Sequence, residues 1–209
     1  MEIKVCGMRE PGNIRKLLTE VKPDWMGLIF YPPSSRFVAD DAAAEIRDFP
    51  VRKVGVFVNE NEEVILDKIK KFDLKAIQLH GNESPEFVRN LFEKTSCELW
   101  KVVSVKGEVH WEDLRGYLPY VTKFLFDTAT SGHGGSGQQF DWGILETYPF
   151  EKGFLLSGGL DESSPKSIKE LKVKVPQLEG VDLNSKFELS PGLKDIEKLK
   201  KFKKELFQN

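Results

Sequence analysis

Apolar positions along the chain fall into two alternating patterns. One is a set of short, nearly unbroken runs rich in β-branched and aromatic residues: IKVCG from Ile3, WMGLIF from Trp25, KVGVFV from Lys53 and AIQLH from Ala76. It continues with LWKVVSV from Leu99, TKFLFD from Thr122, FLLSGG from Phe154 and GVDLN from Gly180. A strand with one wet face would alternate apolar and polar residues. These runs scarcely do, so they predict strands covered on both faces, as in a parallel sheet.

The second pattern has helical spacing. Ile14, Leu17, Leu18 and Val21 share a face, as do Ile65, Ile69 and Phe72, and Phe87, Val88 and Leu91. Ser84-Pro85-Glu86 predicts an N-cap followed by proline in the first turn. Ser190-Pro191 predicts the same start for a last helix carrying Leu193, Ile196, Leu199, Phe202 and Leu206. The segments after the second, fifth and seventh runs have weaker helical patterns.

Eight run-plus-helix units, starting 22 to 32 residues apart, predict an α/β fold: a single (β/α)₈ barrel over residues 1–209, near the short end of that architecture's size range. A doubly wound sheet is the alternative, but it leaves the even spacing and the number eight unexplained. No linker-like stretch divides the chain.

Composition changes this picture only by exclusion. With 40% hydrophobic and 31% charged residues and a formal net charge of −2, nothing marks a nucleic-acid or anionic-membrane partner. Cys6 and Cys97 make neither a disulfide framework nor a zinc pattern, so no metal is expected. The opening MEIKVCGMRE lacks an apolar segment, no run reaches membrane-spanning length, and a reducing cytoplasm is the expected compartment. The lysine-rich KLKKFKKEL fits the wet face of the last helix better than a membrane surface.

A barrel of this type places its chemistry at the C-terminal ends of its strands. Asp127 closes the sixth run, either as a carboxylate for chemistry or as the cap of a turn. Behind it, Gly132, Gly134 and Gly137 match G-x-G-x-x-G spacing, but a dinucleotide loop follows the first strand of its unit immediately and opens a helix. A mobile loop that closes over a ligand fits the position better. Cys6 closes the first run, as a small buried hydrophobe or as a base whose thiol needs nearby positive charge. The first and sixth strands lie three steps apart around a ring of eight, about 135°. Cys6 and Asp127 can therefore address opposite sides of one ligand.

Arg36, in the proline-stiffened YPPSSRFV, is an exposed arginine or a fork for a carboxylate or phosphate. His80, two residues beyond Gln78, is a hydrogen-bonded structural histidine or one that faces the substrate. Gly158-Gly159 and the loop Asp182-Leu183-Asn184-Ser185 close the seventh and eighth runs, where barrels of this type often hold phosphate.

The ordered set KVCGM, SSRFV, QLHGNE, FDTATSGHGGSGQQFDW, LLSGGL, and GVDLNS followed by SPGLKD resembles the phosphoribosylanthranilate isomerase family over essentially the whole chain. The resemblance implies a cofactor-free Amadori rearrangement of a phosphosugar in tryptophan biosynthesis, with Asp127 as general acid and Cys6 as general base. It also implies that Arg36 meets the anthranilate carboxylate, that Gly158, Gly159 and the residues after Asp182, Asn184 and Ser185 among them, form the phosphate cradle, and that Asp182 and His80 belong to the substrate site. Either a monomer or a homodimer is compatible with it. One departure stands out: the family's small Ser-Ser-Gly-like turn is replaced by Asn184-Ser185-Lys186-Phe187, which brings Lys186 to the expected cradle. Two rivals are an indole-forming barrel that uses lysines at its strand ends and a non-catalytic phosphosugar-binding barrel. Neither requires both Cys6 and Asp127.

Overall fold

The computed structural model describes residues 1–128 and 141–208. The predicted runs form a closed barrel whose eight parallel strands follow chain order. They are β1 (Glu2–Val5), β2 (Trp25–Ile29), β3 (Arg52–Phe57), β4 (Ala76–Leu79), β5 (Glu98–Val105), β6 (Lys123–Thr128), β7 (Phe154–Leu156) and β8 (Leu178–Leu183). Closure brings Lys4 opposite Asp182.

Strand geometry sends alternate side chains to opposite faces. Outward residues such as Ile3, Met26, Ile77, Phe124 and Phe154 pack in the core beneath the helices. Inward residues Trp25, Val54, Ala76, Trp100, Leu125 and Leu155 form a separate core inside the barrel. There the Trp25 and Trp100 rings meet edge to face, 4.9 Å between centroids. Continuing the inward series toward the strands' C-terminal ends reaches Cys6, Gln78, His80 and Asp127. The packed floor thus fixes which side chains face the mouth.

Among the described residues, six α-helices surround the barrel: α1 (Pro11–Lys16), α2 (Ala43–Ile46), α3 (Glu62–Phe72), α4 (Pro85–Lys94), α5 (Pro165–Lys174) and α6 (Ile196–Phe207). α4 begins as the sequence predicts, with the Ser84 hydroxyl accepting from the Phe87 N–H at 3.2 Å. α1 runs into a π-helical turn at Leu17–Val21, which keeps Leu17 and Val21 buried.

Two expectations need correction. Ser190-Pro191 does not start the last helix. Glu188–Ser190 (β9) and Leu193–Lys194 (β10) form an antiparallel ribbon around that dipeptide, turned by Gly192 at φ +85°. α6 then starts behind Asp195, a carboxylate that accepts from the Lys198 N–H at 3.1 Å. The other correction is the connection after β5, which carries a 3₁₀ turn, Trp111–Tyr117, in place of an α-helix; among the described residues after β6, Trp142–Thr147 is also 3₁₀. The weak pattern after β7 is borne out by a full ten-residue helix, α5, whose stripe of Pro165, Ile168 and Leu171 is blurred by Val173, 83% exposed. Among the described residues, no helix is long and apolar enough to cross a membrane.

Candidate active site

At the C-terminal mouth a cavity of about 830 Å³, its open entrance included, is lined by Cys6, Arg36, His80 and Asp127. Gly158, Gly159, Asp182, Asn184, Ser185 and Lys186 complete the wall that the sequence singles out. The glycines Gly132, Gly134 and Gly137 lie outside the described residues.

Cys6 follows β1, its N–H bonded to the Leu183 carbonyl at 2.9 Å. Its thiol sits over Gly27, where a Cβ would fall 2.8 Å from Sγ. A glycine inside β2 is therefore a requirement of the cysteine's position, a relation with no local sequence signal. Lys4, two residues earlier on the same inward face, is fully buried and joined to Asp182 at 2.7 Å. Burial pushes the Cys6 thiol up, and Asp182 adds to the rise, while Lys4 and Lys194 pull the other way. The net position is above the ordinary thiol range.

Asp182 lies at the end of β8 itself, facing into the barrel, rather than out in the following loop. Burial and the neighbouring Asp127 raise its carboxyl pKa despite the opposing Lys4 ammonium. Its second oxygen, Oδ1, has no hydrogen-bond partner among the described residues.

At the end of β6, Asp127 Oδ1 accepts from the Thr128 N–H at 2.9 Å. Its other oxygen, Oδ2, lies 3.4 Å from His80 Nε2. Gln78 Nε2 approaches His80 Nδ1 at 3.2 Å. With the amide as donor, the neutral imidazole's proton sits on Nε2, facing Asp127.

Arg36 is not an exposed arginine. Its Nε and Nη2 hold the Glu188 carboxylate at 2.7–3.0 Å, leaving Nη1 without a hydrogen-bond partner among the described residues. Glu188 was not among the residues singled out from sequence.

The seventh and eighth loops meet beside these groups. Gly158 and Gly159 have φ of +84° and +69°, and a Cβ on Gly158 would fall 2.8 Å from Asp127 Oδ1. The pair lets backbone approach the acid where no other residue fits. Ser185–Phe187 forms a 3₁₀ turn anchored by Phe187, which is buried edge to face on Phe202. Lys186 stands exposed at the rim. Together with hydrogen bonds from Ser163 and Ser164, it holds the Asp161 carboxyl below its usual range, so it stands near the seventh loop. Among the described residues, no cluster of three or more His, Cys, Asp or Glu side chains is placed to hold a metal ion.

A closed parallel barrel with a thiol, a carboxylate and glycine turns converging on its C-terminal mouth defines a (β/α)₈ enzyme of the phosphosugar-handling kind. Comparison with known proteins narrows the class. The profile of the N-(5'-phosphoribosyl)anthranilate isomerase family matches residues 3–205. An N-(5'-phosphoribosyl)anthranilate isomerase of Parabacteroides distasonis is 45% identical over 206 residues, 97% of this chain and 91% of its own. The crystal structure of the Thermotoga maritima phosphoribosyl anthranilate isomerase superposes with a TM-score of 0.82 at 34% identity, over 99% of this chain and 98% of that one. Another such isomerase, solved in complex with reduced 1-(o-carboxyphenylamino)-1-deoxyribulose 5-phosphate, gives 0.78 at 31% identity, over 99% and 98%. The chain belongs to the phosphoribosylanthranilate isomerase family.

Proposed function

We propose that this chain converts N-(5'-phosphoribosyl)anthranilate to 1-(2-carboxyphenylamino)-1-deoxyribulose 5-phosphate, a step of tryptophan biosynthesis, with Asp127 as general acid and Cys6 as general base. The observation that carries the assignment is the order of groups around the mouth. From β6 to β2 the strands run β6, β7, β8, β1, β2. Asp127 therefore stands first, then the Gly158-Gly159 turn, the Asn184–Lys186 turn, Cys6 and, beyond β2, Arg36. A 5-phosphate seated at the two turns leaves the sugar between Asp127 and Cys6, and the aryl carboxylate toward Arg36.

The chemistry follows from that placement. Asp127 gives a proton to the furanose ring oxygen, the ring C1′–O bond breaks, and the amine nitrogen's lone pair forms the C1′ imine. That protonated imine is an electron sink, so the C2′ proton becomes removable. Cys6, as thiolate, takes it, and the released electron pair forms the enolamine. Tautomerisation then gives the ketone. Proton donor and acceptor act in sequence on neighbouring atoms, and no electron leaves the molecule. A nicotinamide has no part in such a reaction.

Incubating the purified chain with phosphoribosylanthranilate, followed by aryl-amine fluorescence, tests the reading. Turnover is expected with chelator present and no nucleotide added. Folded protein that does not turn over, or that needs an added metal, overturns it.

Lys186 gives a finer expectation. A phosphate dianion at the two turns gains one ammonium at the rim, a screened contact worth about 1 kcal/mol. Lys186→Ala should raise KM roughly fivefold, with little change in kcat, and the gap should close at high ionic strength. Equal inhibition of both proteins by inorganic phosphate at low salt would show that the turn backbone binds alone.

A further inference from the structure

Three charged side chains meet behind the segment that follows Cys6. Glu188, at the start of β9, has a 4% exposed side chain; that of Lys194, at the end of β10, is fully buried. Glu188 Oε1 accepts from Arg36 Nε at 2.9 Å, from Lys194 Nζ at 2.5 Å and from the Gly192 N–H at 3.1 Å. Oε2 accepts from Arg36 Nη2 at 2.7 Å. Lys194 Nζ also reaches Asn184 Oδ1 at 2.8 Å. A Cβ on Gly7 would lie 2.7 Å from Arg36 Cδ and 2.8 Å from Asn184 Oδ1, so the chain beyond the base packs directly on this group.

The geometry points to the Glu188–Lys194 pair as a positioning device for Arg36: Glu188 clamps the Nε–Nη2 edge of the guanidinium, and Lys194, by neutralising Glu188, leaves the charge of Arg36 available to the substrate's aryl carboxylate. The inference rests on the isomerase reading of the cavity.

Without Lys194 the ribbon would work against binding. An arginine locked to a buried glutamate presents no net charge to an incoming anion. With the lysine protonated, two cations share one carboxylate, and the excess charge stays on Arg36, which lines the cavity. A planar fork bonded along one edge is also held in one orientation, which a free arginine on a loop is not. The groups facing Lys194 are Glu188 from β9, Asn184 from the eighth loop, Cys6 beyond β1 and Arg36 from the second loop. Burial lowers the lysine to about 8 despite the opposing pull of Glu188. Its proton is therefore present at neutral pH and lost as pH rises through that value. The excess charge at Arg36 goes with it.

Two ligands read this device without turnover: reduced 1-(2-carboxyphenylamino)-1-deoxyribulose 5-phosphate and the same molecule lacking the ring carboxylate. The ratio of their Kd values isolates the carboxylate, because ionisation of Cys6 and loss of packing act on both. At pH 7 the carboxylated ligand should bind on the order of tenfold tighter or more. The preference should fall about fivefold by pH 9.5. Lys194→Met, of similar length and uncharged, should show the low ratio at every pH. A wild-type ratio unchanged between pH 7 and 9.5 overturns the proposal without needing a variant. So does a Lys194→Met protein that keeps the wild-type ratio at pH 7. If neither ligand binds the folded protein, the isomerase reading falls first and the inference with it.

Discussion

Asp127→Asn is expected to lower kcat for phosphoribosylanthranilate by about 10²-fold or more, with Tm and KM close to wild type. On the proposed mechanism two duties meet in this side chain, and the substitution separates them. The structural duty is local: Oδ1 accepts from the Thr128 N–H. An asparagine oxygen accepts the same bond, so the end of β6 and the approach of Gly158 survive. What it lacks is a proton to give. Ring opening is then the step that slows, and added acid in solution does not reach it. Asp127→Asn protein with near-normal kcat would reduce Asp127 to a structural residue. A fall in Tm comparable to the loss of activity would mean that the two duties had not been separated.

Much of this arrangement was legible along the chain, and the boundary has a physical cause. Strands buried on both faces announce themselves as apolar runs, and all eight lie where the runs predict. Once the barrel is closed, a two-residue period sends Cys6, His80 and Asp127 to the same mouth as surely as it sends Trp25 and Trp100 to the floor. The groups that hold them are another matter. Glu188 meets Arg36 across 152 residues of chain, and Lys4 meets Asp182 across 178, with nothing local in either sequence to mark the pairing. Gly27 is empty because Cys6 lies across from it, and the residues around it look like any other apolar run. Ser190-Pro191 misleads for a different reason. A serine before a proline starts turns as readily as helices, and Gly192 at positive φ decides for the turn. The ribbon that results carries Glu188 and Lys194, so a local ambiguity hid the support of the arginine.

Cys6→Ser should cost at least as much as the loss of the acid, about 10²-fold or more in kcat, and the pH dependence of the wild type should show why. A hydroxyl in this position is a far weaker base than a thiolate, and its smaller oxygen fits over Gly27 without strain. Fold and substrate affinity are therefore preserved while proton removal from C2′ fails. The wild-type thiol is itself held up by burial, which outweighs Lys4 and Lys194. A thiol raised above its ordinary value is mostly protonated at neutral pH, and the ionised fraction grows tenfold with each pH unit until that value is passed. kcat should accordingly climb with pH through the neutral and mildly alkaline range rather than reach a plateau near 7, as long as proton removal limits turnover. Substrate deuterated at C2′ checks that condition, since an isotope effect on kcat identifies the step. Lys4→Met should move the climb to higher pH, because it removes a buried cation that favours the thiolate. The accompanying loss of the Asp182 ion pair is read separately from Tm and costs about 3–5 kcal/mol where a buried charge is left alone. Flat kcat from pH 6 to 9 in the presence of a full isotope effect would show that the group removing the proton is not this thiol.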